Sequence, residues 1–383
     1  MPMSTNAMER DSASQDLSEA DRLAGAVTAA RPKVCVVGLG GAGSNIVSWM
    51  KEKGIAGCKL IAANTDAVHL SVTRADSRIL IGEKVTRGQG AGGHPEMGEK
   101  AAYESLEELR EAVAGSSILL LCAGLGGGTG TGAINVLAKA LPRKGILKIG
   151  VVTLPFSFER HRYKKARKSL DQLREYCDTV VAIDNTRLSN VAGGLPLEQG
   201  LGVASELVCQ FVKSITETIT TASLINIDYA DLKAIMERRG LAAIGVGESS
   251  GKRRVGKAAK IAIDSRLLDV RDVSKSYGVL VHVTGGGDVT LEEVTAASDE
   301  ITRALRPDVK IVWGARVEDN MHGRVRVMVV LTGVEGRFPR PSAVESSPEG
   351  RRQWFQDRLR KDHGSVGSFQ PLFSQIERET GLF

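Results

Sequence analysis

The chain has 383 residues, 42% of them hydrophobic and 25% charged, an ordinary globular composition with room for two domains and tails. Its net charge of +6 comes from bases and acids mixed through most of the chain, and aromatics are only 4%, so a base-stacking nucleic-acid platform is not expected. Five cysteines without a CxxC pair, scattered histidines and a polar start with no signal-like apolar run argue against a disulfide framework, a zinc site and export; a cytoplasmic protein is expected.

Residues 1–30, rich in Ser, Ala and acids, read as a mobile extension. From Pro32 onward, apolar strands at 34–38, 59–64, 78–82, 118–123, 146–154 and 179–184 alternate with helices at 44–54, 96–114, 131–141 and 161–176. That alternation predicts βαβ units and a parallel sheet covered on both faces. A helix over about 198–221 carries apolar residues from Leu201 to Ile219 on more than one stripe, so it reads as a spine buried between two layers.

Strands at 241–248, 278–285, 309–317 and 325–333, with helices near 229–239, 253–264 and 290–305, predict a second, smaller α/β domain. Its last two strands follow one another as a pair. From Gly336 the pattern stops in a linker. RRQWFQDRLRK (351–361) is either a short amphipathic helix or a solvated basic linker, and the ending PLFSQIERETGLF has the make-up of a short docking peptide. The expected division is an N-terminal extension at 1–30, a nucleotide-binding domain at 31–197 and a central core helix at 198–222. A C-terminal domain at 223–335 and a tail at 336–383 complete it.

The chemistry concentrates in glycine loops. The first strand ends in GLGGAGSN (38–45), and the fourth in AGLGGGTGTGA (123–133), each just before a helix. Glycine lets backbone approach a bulky anion, and a helix start offers unpaired N–H groups and a positive dipole end. GxGxxG alone is the weak dinucleotide fingerprint, equally explained as a tight turn. A second such loop at the same sheet edge, with hydroxyls of Thr129 and Thr131 able to donate to phosphate, and a third glycine-rich stretch at 87–102 point to a chain of phosphates. No GxxxxGK[ST] occurs, so charge neutralisation is expected from helix ends, backbone nests and Mg²⁺ rather than from a P-loop lysine.

GGAGSN, ANTDA (63–67), GAGGHPEMG (90–98), GLGGGTGTG (124–132) and LINIDYAD (224–231) resemble, in order, the nucleotide and catalytic loops of FtsZ, the tubulin-like cell-division GTPase family. The resemblance runs from about Lys33 to Gly333. It implies a parallel-sheet GTP-binding domain joined by a long central helix to a smaller α/β domain. It also implies phosphate contacts from Gly41, Ala42, Gly43, Ser44, Asn45, Gly128, Thr129 and Gly130. Glu159 matches a family acid at the sugar, Asn185 a residue near the guanine, and Glu206 an acid suited to accepting from the base. Two positions depart from the family pattern. Tyr163 stands where an arginine is common, leaving Arg160, Arg162 or Lys164 to replace it, and Ser205 stands where many relatives have asparagine.

Asp228 and Asp231 are three residues apart at a helix start, a spacing that by itself is well explained by helix capping. The resemblance implies instead that Asn226, Asp228 and Asp231 complete the nucleotide site of the next subunit. Such head-to-tail stacking generates filaments of a division ring at midcell and hydrolysis that depends on assembly. It further implies that the C-terminal peptide binds a membrane-anchoring division protein. Two other readings compete. A nicotinamide-dependent oxidoreductase leaves the second glycine loop without a role, and Asp66 falls 28 residues past Gly38 rather than about 20. A GTP-bound polymer that no longer hydrolyses is opposed by the acids, while Tyr163 leaves room for it.

Overall fold

The computed structural model describes residues 32–192, 197–220, 228–238, 240–265, 268, 270 and 272–334, with backbone alone for 189–192, 197–201, 217, 218 and 220. Asn226, the N-terminal extension, the linker, the basic cluster and the C-terminal peptide lie outside the described residues.

In chain order the first half runs β1 (Val34–Leu39), α1 (Gly40–Glu52), β2 (Cys58–Asn64), α2 (Ala67–Val72), β3 (Ser77–Leu80), α3 (Glu83–Thr86), α4 (Pro95–Glu104) and α5 (Leu106–Ala112). β4 (Ile118–Gly124), α6 (Thr129–Ala140), β5 (Leu147–Leu154), α7 (Arg160–Tyr176), β6 (Thr179–Asp184) and α8 (Asn185–Ala192) follow. Then come the long α9 (Leu197–Thr220), α10 (Tyr229–Met236), β7 (Leu241–Ser250), α11 (Arg254–Ile263), β8 (Gly278–Gly285), α12 (Leu291–Arg303), β9 (Lys310–Val317) and β10 (Arg324–Val334).

The ten strands among the described residues form one sheet in the order β3-β2-β1-β4-β5-β6-β7-β10-β8-β9. The first six are parallel, as continuous apolar runs between helices require. Within the sheet the halves are joined by a short parallel pairing, Val180–Leu241 and Val181–Ala242, between β6 and β7. The expected pairing of the last two strands does not occur. β10 lies between β7 and β8, antiparallel to both, and β9 sits at the edge beside β8. Burial decides this: β10 is covered along most of its length, whereas both ends of β9 are exposed. The expected helix over 96–114 is also two, broken at Ser105, whose hydroxyl accepts from the Gly82 N–H (3.0 Å) instead of continuing the helix. Short helices α2, α3 and α8 carry too few turns to show a period in sequence.

Alternation along β1 feeds two cores: Cys35, Val37 and Leu39 pack with α4 to α7, while Val34 and Val36 face α1 and α9. α9 is the spine. Its Val208, Phe211, Val212 and Ile215 share a core with Met50 of α1 on one side and Leu280 and Met328 on the other. Cys35, Cys122 and Cys209 are buried free thiols, and burial pushes Cys122 up to about 12, leaving it inert.

One buried polar cluster lies where α9 meets the second half. His282 is 4% exposed, and Gln210, Lys213, Thr284, Glu318, Arg326 and Met328 surround it. Burial lowers its pKa to about 4, with Arg316 and Lys213 reinforcing and Glu318 opposing. Because the folded value lies below the unfolded one, the neutral ring contributes stability that is complete above about pH 6.5 and is lost as pH falls toward 4. Urea unfolding of dilute protein should lose about 3 kcal/mol across that window. A His282→Gln variant should lack that part of the slope; parallel slopes in the two proteins would disprove the assignment.

Candidate nucleotide site

Because β1, β4, β5 and β6 are parallel, their carboxyl ends deliver the glycine loops, the 155–159 turn and Asn185 to one edge of the sheet. The loops are packed on one another. Gly40 turns the chain at φ +71°, and a Cβ there would lie 2.7 Å from the Gly130 amide nitrogen. A Cβ on Gly98 would lie 2.5 Å from the Gly128 carbonyl oxygen, so the third loop closes against the second. These glycines serve close approach of backbone to backbone. Gly41 and Gly127 differ: a Cβ on either would meet nothing within 4 Å, so both present bare backbone to open space.

The helix starts at these two loops have no side-chain cap. α1 begins after Leu39 and α6 after Gly128, each without a capping hydrogen bond and without an acid in its first turn. Side-chain caps do occur on three other helices, Asp66 on α2, Asp228 on α10 and Thr290 in a capping box on α12. Two adjacent helix starts with free N–H groups and positive dipole ends make an anion cradle. Ser44 is buried in the first of them and its hydroxyl has no partner, while Ala42 and Asn45 are exposed.

The two loop hydroxyls part company. Thr129 Oγ1 lies 2.6 Å from Thr65 Oγ1, joining the second glycine loop to the turn after β2. Thr131, expected to donate to phosphate, is 3% exposed and accepts from the Gly126 N–H at 2.9 Å. It is a loop-closing residue, placed inward by the first turn of α6.

Glu159 accepts from the Phe156 N–H (3.1 Å) and pairs with Arg162 (2.6 Å). Arg162 also lies against the second glycine loop, since a Cβ on Gly126 would sit 3.1 Å from its own Cβ. Tyr163 packs into the core instead. Of the three candidate cations, Arg162 is therefore the one beside the loop, a distinction that helix spacing alone left open. The first nine residues of α7 hold six bases and no acid, an arrangement its own dipole disfavours and a bound anion would favour. Asn185 Oδ1 is buried without a partner, an acceptor left open at the same edge.

Glu206 sits elsewhere than a base contact by itself suggests. It is 8% exposed, and its oxygens accept from Trp49 Nε1 (2.8 Å) and Gln210 Nε2 (2.9 Å), with Lys53 Nζ at 3.8 Å. These donors take up part of the acceptor capacity of its two oxygens.

Asp228 and Asp231 lie at the other end of the sheet. Tyr229 between them donates to the Ser117 carbonyl, just before β4, and Asp231 pairs with Lys310, which opens β9. The glycine loop follows the opposite end of β4, seven residues on, roughly 20 Å away at about 3.3 Å per residue. The structure thus brings the glycine loops, Glu159 and Asn185 to one edge and separates both acids from them. Asp228 accepts from the Ala230 N–H, so the capping role read from spacing is also present.

Comparison with known proteins finds relatives over most of the chain. Residues 33–193 match the model of the Tubulin/FtsZ family, GTPase domain, and residues 240–335 that of the FtsZ family, C-terminal domain. The chain is 45% identical over 334 residues to a cell division protein FtsZ of Haloferax mediterranei, covering 86% of this chain and 88% of that one. It is 43% identical to cell division protein FtsZ 2 of Methanocaldococcus jannaschii, covering 87% and 89%. The structure of a point mutant of an M. jannaschii FtsZ superposes with a TM-score of 0.78 at 43% identity, covering 83% of this chain and 96% of its own. A CetZ2 protofilament structure from Haloferax volcanii, at 22% identity and a TM-score of 0.66, shares the fold.

Proposed function

The chain belongs to the FtsZ family of tubulin-like GTPases, and from that premise we propose that it assembles head to tail into filaments whose GTPase centres each span two copies. One observation carries this reading: the anion cradle and the acids Asp228 and Asp231 occupy opposite ends of one sheet. No single copy can bring them together, whereas translation of one copy along the strand direction can. Such a contact is heterologous and does not close, so it propagates.

In this arrangement Gly41, Ala42, Gly43, Ser44, Asn45, Gly128, Thr129 and Gly130 hold the phosphates with main-chain N–H groups and the Thr129 hydroxyl. Glu159 with Arg162 lies at the sugar and phosphates. Asn185 offers its open acceptor to the base, and Glu206, held by Trp49 and Gln210, offers it the remaining lone pairs. Mg²⁺ on the triphosphate would take its ligands mainly from phosphates and water, because the described residues contain no metal-holding cluster of His, Cys, Asp or Glu. From the next copy, Asp231 and Asp228, with Asn226, orient the attacking water, and one carboxylate accepts its proton as the new oxygen–phosphorus bond forms and the bond from the γ-phosphorus to the β–γ bridging oxygen breaks, releasing GDP. Loss of the γ-phosphate then weakens the contact between copies.

We place the filament in the cytoplasm at the division site, with the C-terminal peptide docking to a membrane-anchoring division protein. Among the described residues no helix is long and apolar enough to cross a membrane, so attachment through such a partner is consistent with the chain. Purified full-length protein mixed with GTP should scatter light and release phosphate together. Scattering without phosphate would instead identify a non-hydrolysing polymer, and response to NADH alone an oxidoreductase.

A further inference from the structure

Lys310 is the first residue of β9, the edge strand of the sheet, and its ammonium lies 2.9 Å from Asp231 Oδ1. Both side chains are about half exposed, at 43% and 53%. An ion pair in that much water stabilises a fold by at most about 1 kcal/mol, so folding gives little reason for it. Neither residue has another ion pair among the described residues.

From this contact we infer that Lys310 is a positioning residue for Asp231, holding its carboxylate in the orientation that a neighbouring copy's nucleotide meets. The inference rests on the split-centre reading above. Asp228 already accepts from the Ala230 N–H, and the Asp231 N–H bonds to the Asp228 carbonyl. Asp231 is therefore not needed as a cap, and on its own helix nothing fixes its rotamer. Lys310 reaches it from a different element, 79 residues along the chain, and selects one rotamer. The pair has a second consequence. Two carboxylates advancing on a triphosphate repel it, and no lysine follows either glycine loop. Lys310 offsets one of those negative charges in the same motion that delivers it. When a neighbour covers this end and displaces water, the coupling between ammonium and carboxylate strengthens.

The test compares full-length Lys310→Met and Lys310→Arg with the parent protein. GTP binding is read on dilute protein, polymer by sedimentation with a slowly hydrolysed GTP analogue, and turnover by phosphate release. Lys310→Met should lower kcat roughly tenfold or more, the scale of a reacting group left loosely held, with KM, GTP affinity and sedimented polymer unchanged. Lys310→Arg should restore most of the rate. Parent-like kcat in Lys310→Met overturns the proposal, as does a loss fully explained by missing polymer or one that Arg fails to rescue. Asp231→Ala, run alongside, separates the two levels: if it still turns over GTP, the split-centre reading itself fails. If only Lys310→Met is silent, the positioning role alone fails.

Discussion

Asp231→Ala is expected to cut phosphate release by at least about a hundredfold, the scale of a lost acid–base group, while GTP affinity and filament formation persist. Filaments of the variant should outlast those of the parent, because the γ-phosphate that holds copies together is no longer consumed. Asp231 is a cleaner target than Asp228. Asp228 caps α10 through the Ala230 N–H, so its removal also costs about 1 kcal/mol of local stability. Nucleotide binding by fluorescence, sedimentation and phosphate release on one preparation separate the effects. A variant that binds GTP, assembles and still hydrolyses at the parental rate would remove Asp231 from the chemistry.

Phosphate release per molecule should rise steeply with protein concentration, from near background in dilute solution to a plateau once filaments form. The reason is geometric: within one copy the acids are roughly 20 Å from the glycine loops, far beyond the hydrogen-bond reach a base requires. Turnover is then a property of the contact between copies. The measurement is initial rate divided by protein concentration across the scattering onset. A flat ratio through that onset is incompatible with a split centre.

Most of what defines the molecule is short-range and could be read directly. The strand at Val34–Leu39, the bare loop after it and the helix beyond follow from a local apolar run, a glycine turn and a helical period. The same holds for β4 and the AGLGGGTGTGA loop, and the order of these motifs carries the family. The pairing of β10 was not legible. VRVMVVLTG and VKIVWGARV are both strand-like, and neighbouring strands usually pair. The choice of β7 and β8 as partners of β10 is made by burial across the sheet, which neither segment encodes alone.

The candidate site divides in the same way. Gly41 and Gly43 look alike in sequence, yet a Cβ on Gly43 would lie 2.5 Å from the Cys122 carbonyl oxygen whereas one on Gly41 meets open space. Thr129 and Thr131 are two residues apart, so on the first turn of α6 they point in different directions, one to Thr65 and one back to Gly126. Arg162 is singled out from Arg160 and Lys164 only by where α7 docks on the Gly126 turn. Glu206 was legible as an acid on the central helix, but its Trp49 and Lys53 partners arise from α1 and the residue after it, more than 150 residues earlier.

By itself the sequence determined the kind of protein: which segments are strands and helices, where bare backbone meets a helix start, and hence a triphosphate-binding fold of the tubulin type. Only the tertiary structure decided which edge each feature occupies. It set the cradle at the carboxyl ends, Asp228 and Asp231 at the amino end, and Lys310 beside Asp231. The reason is that periodicity and turn chemistry act over a few residues. Which groups end up adjacent depends instead on packing between segments tens to hundreds of residues apart, where shape and burial choose the partner.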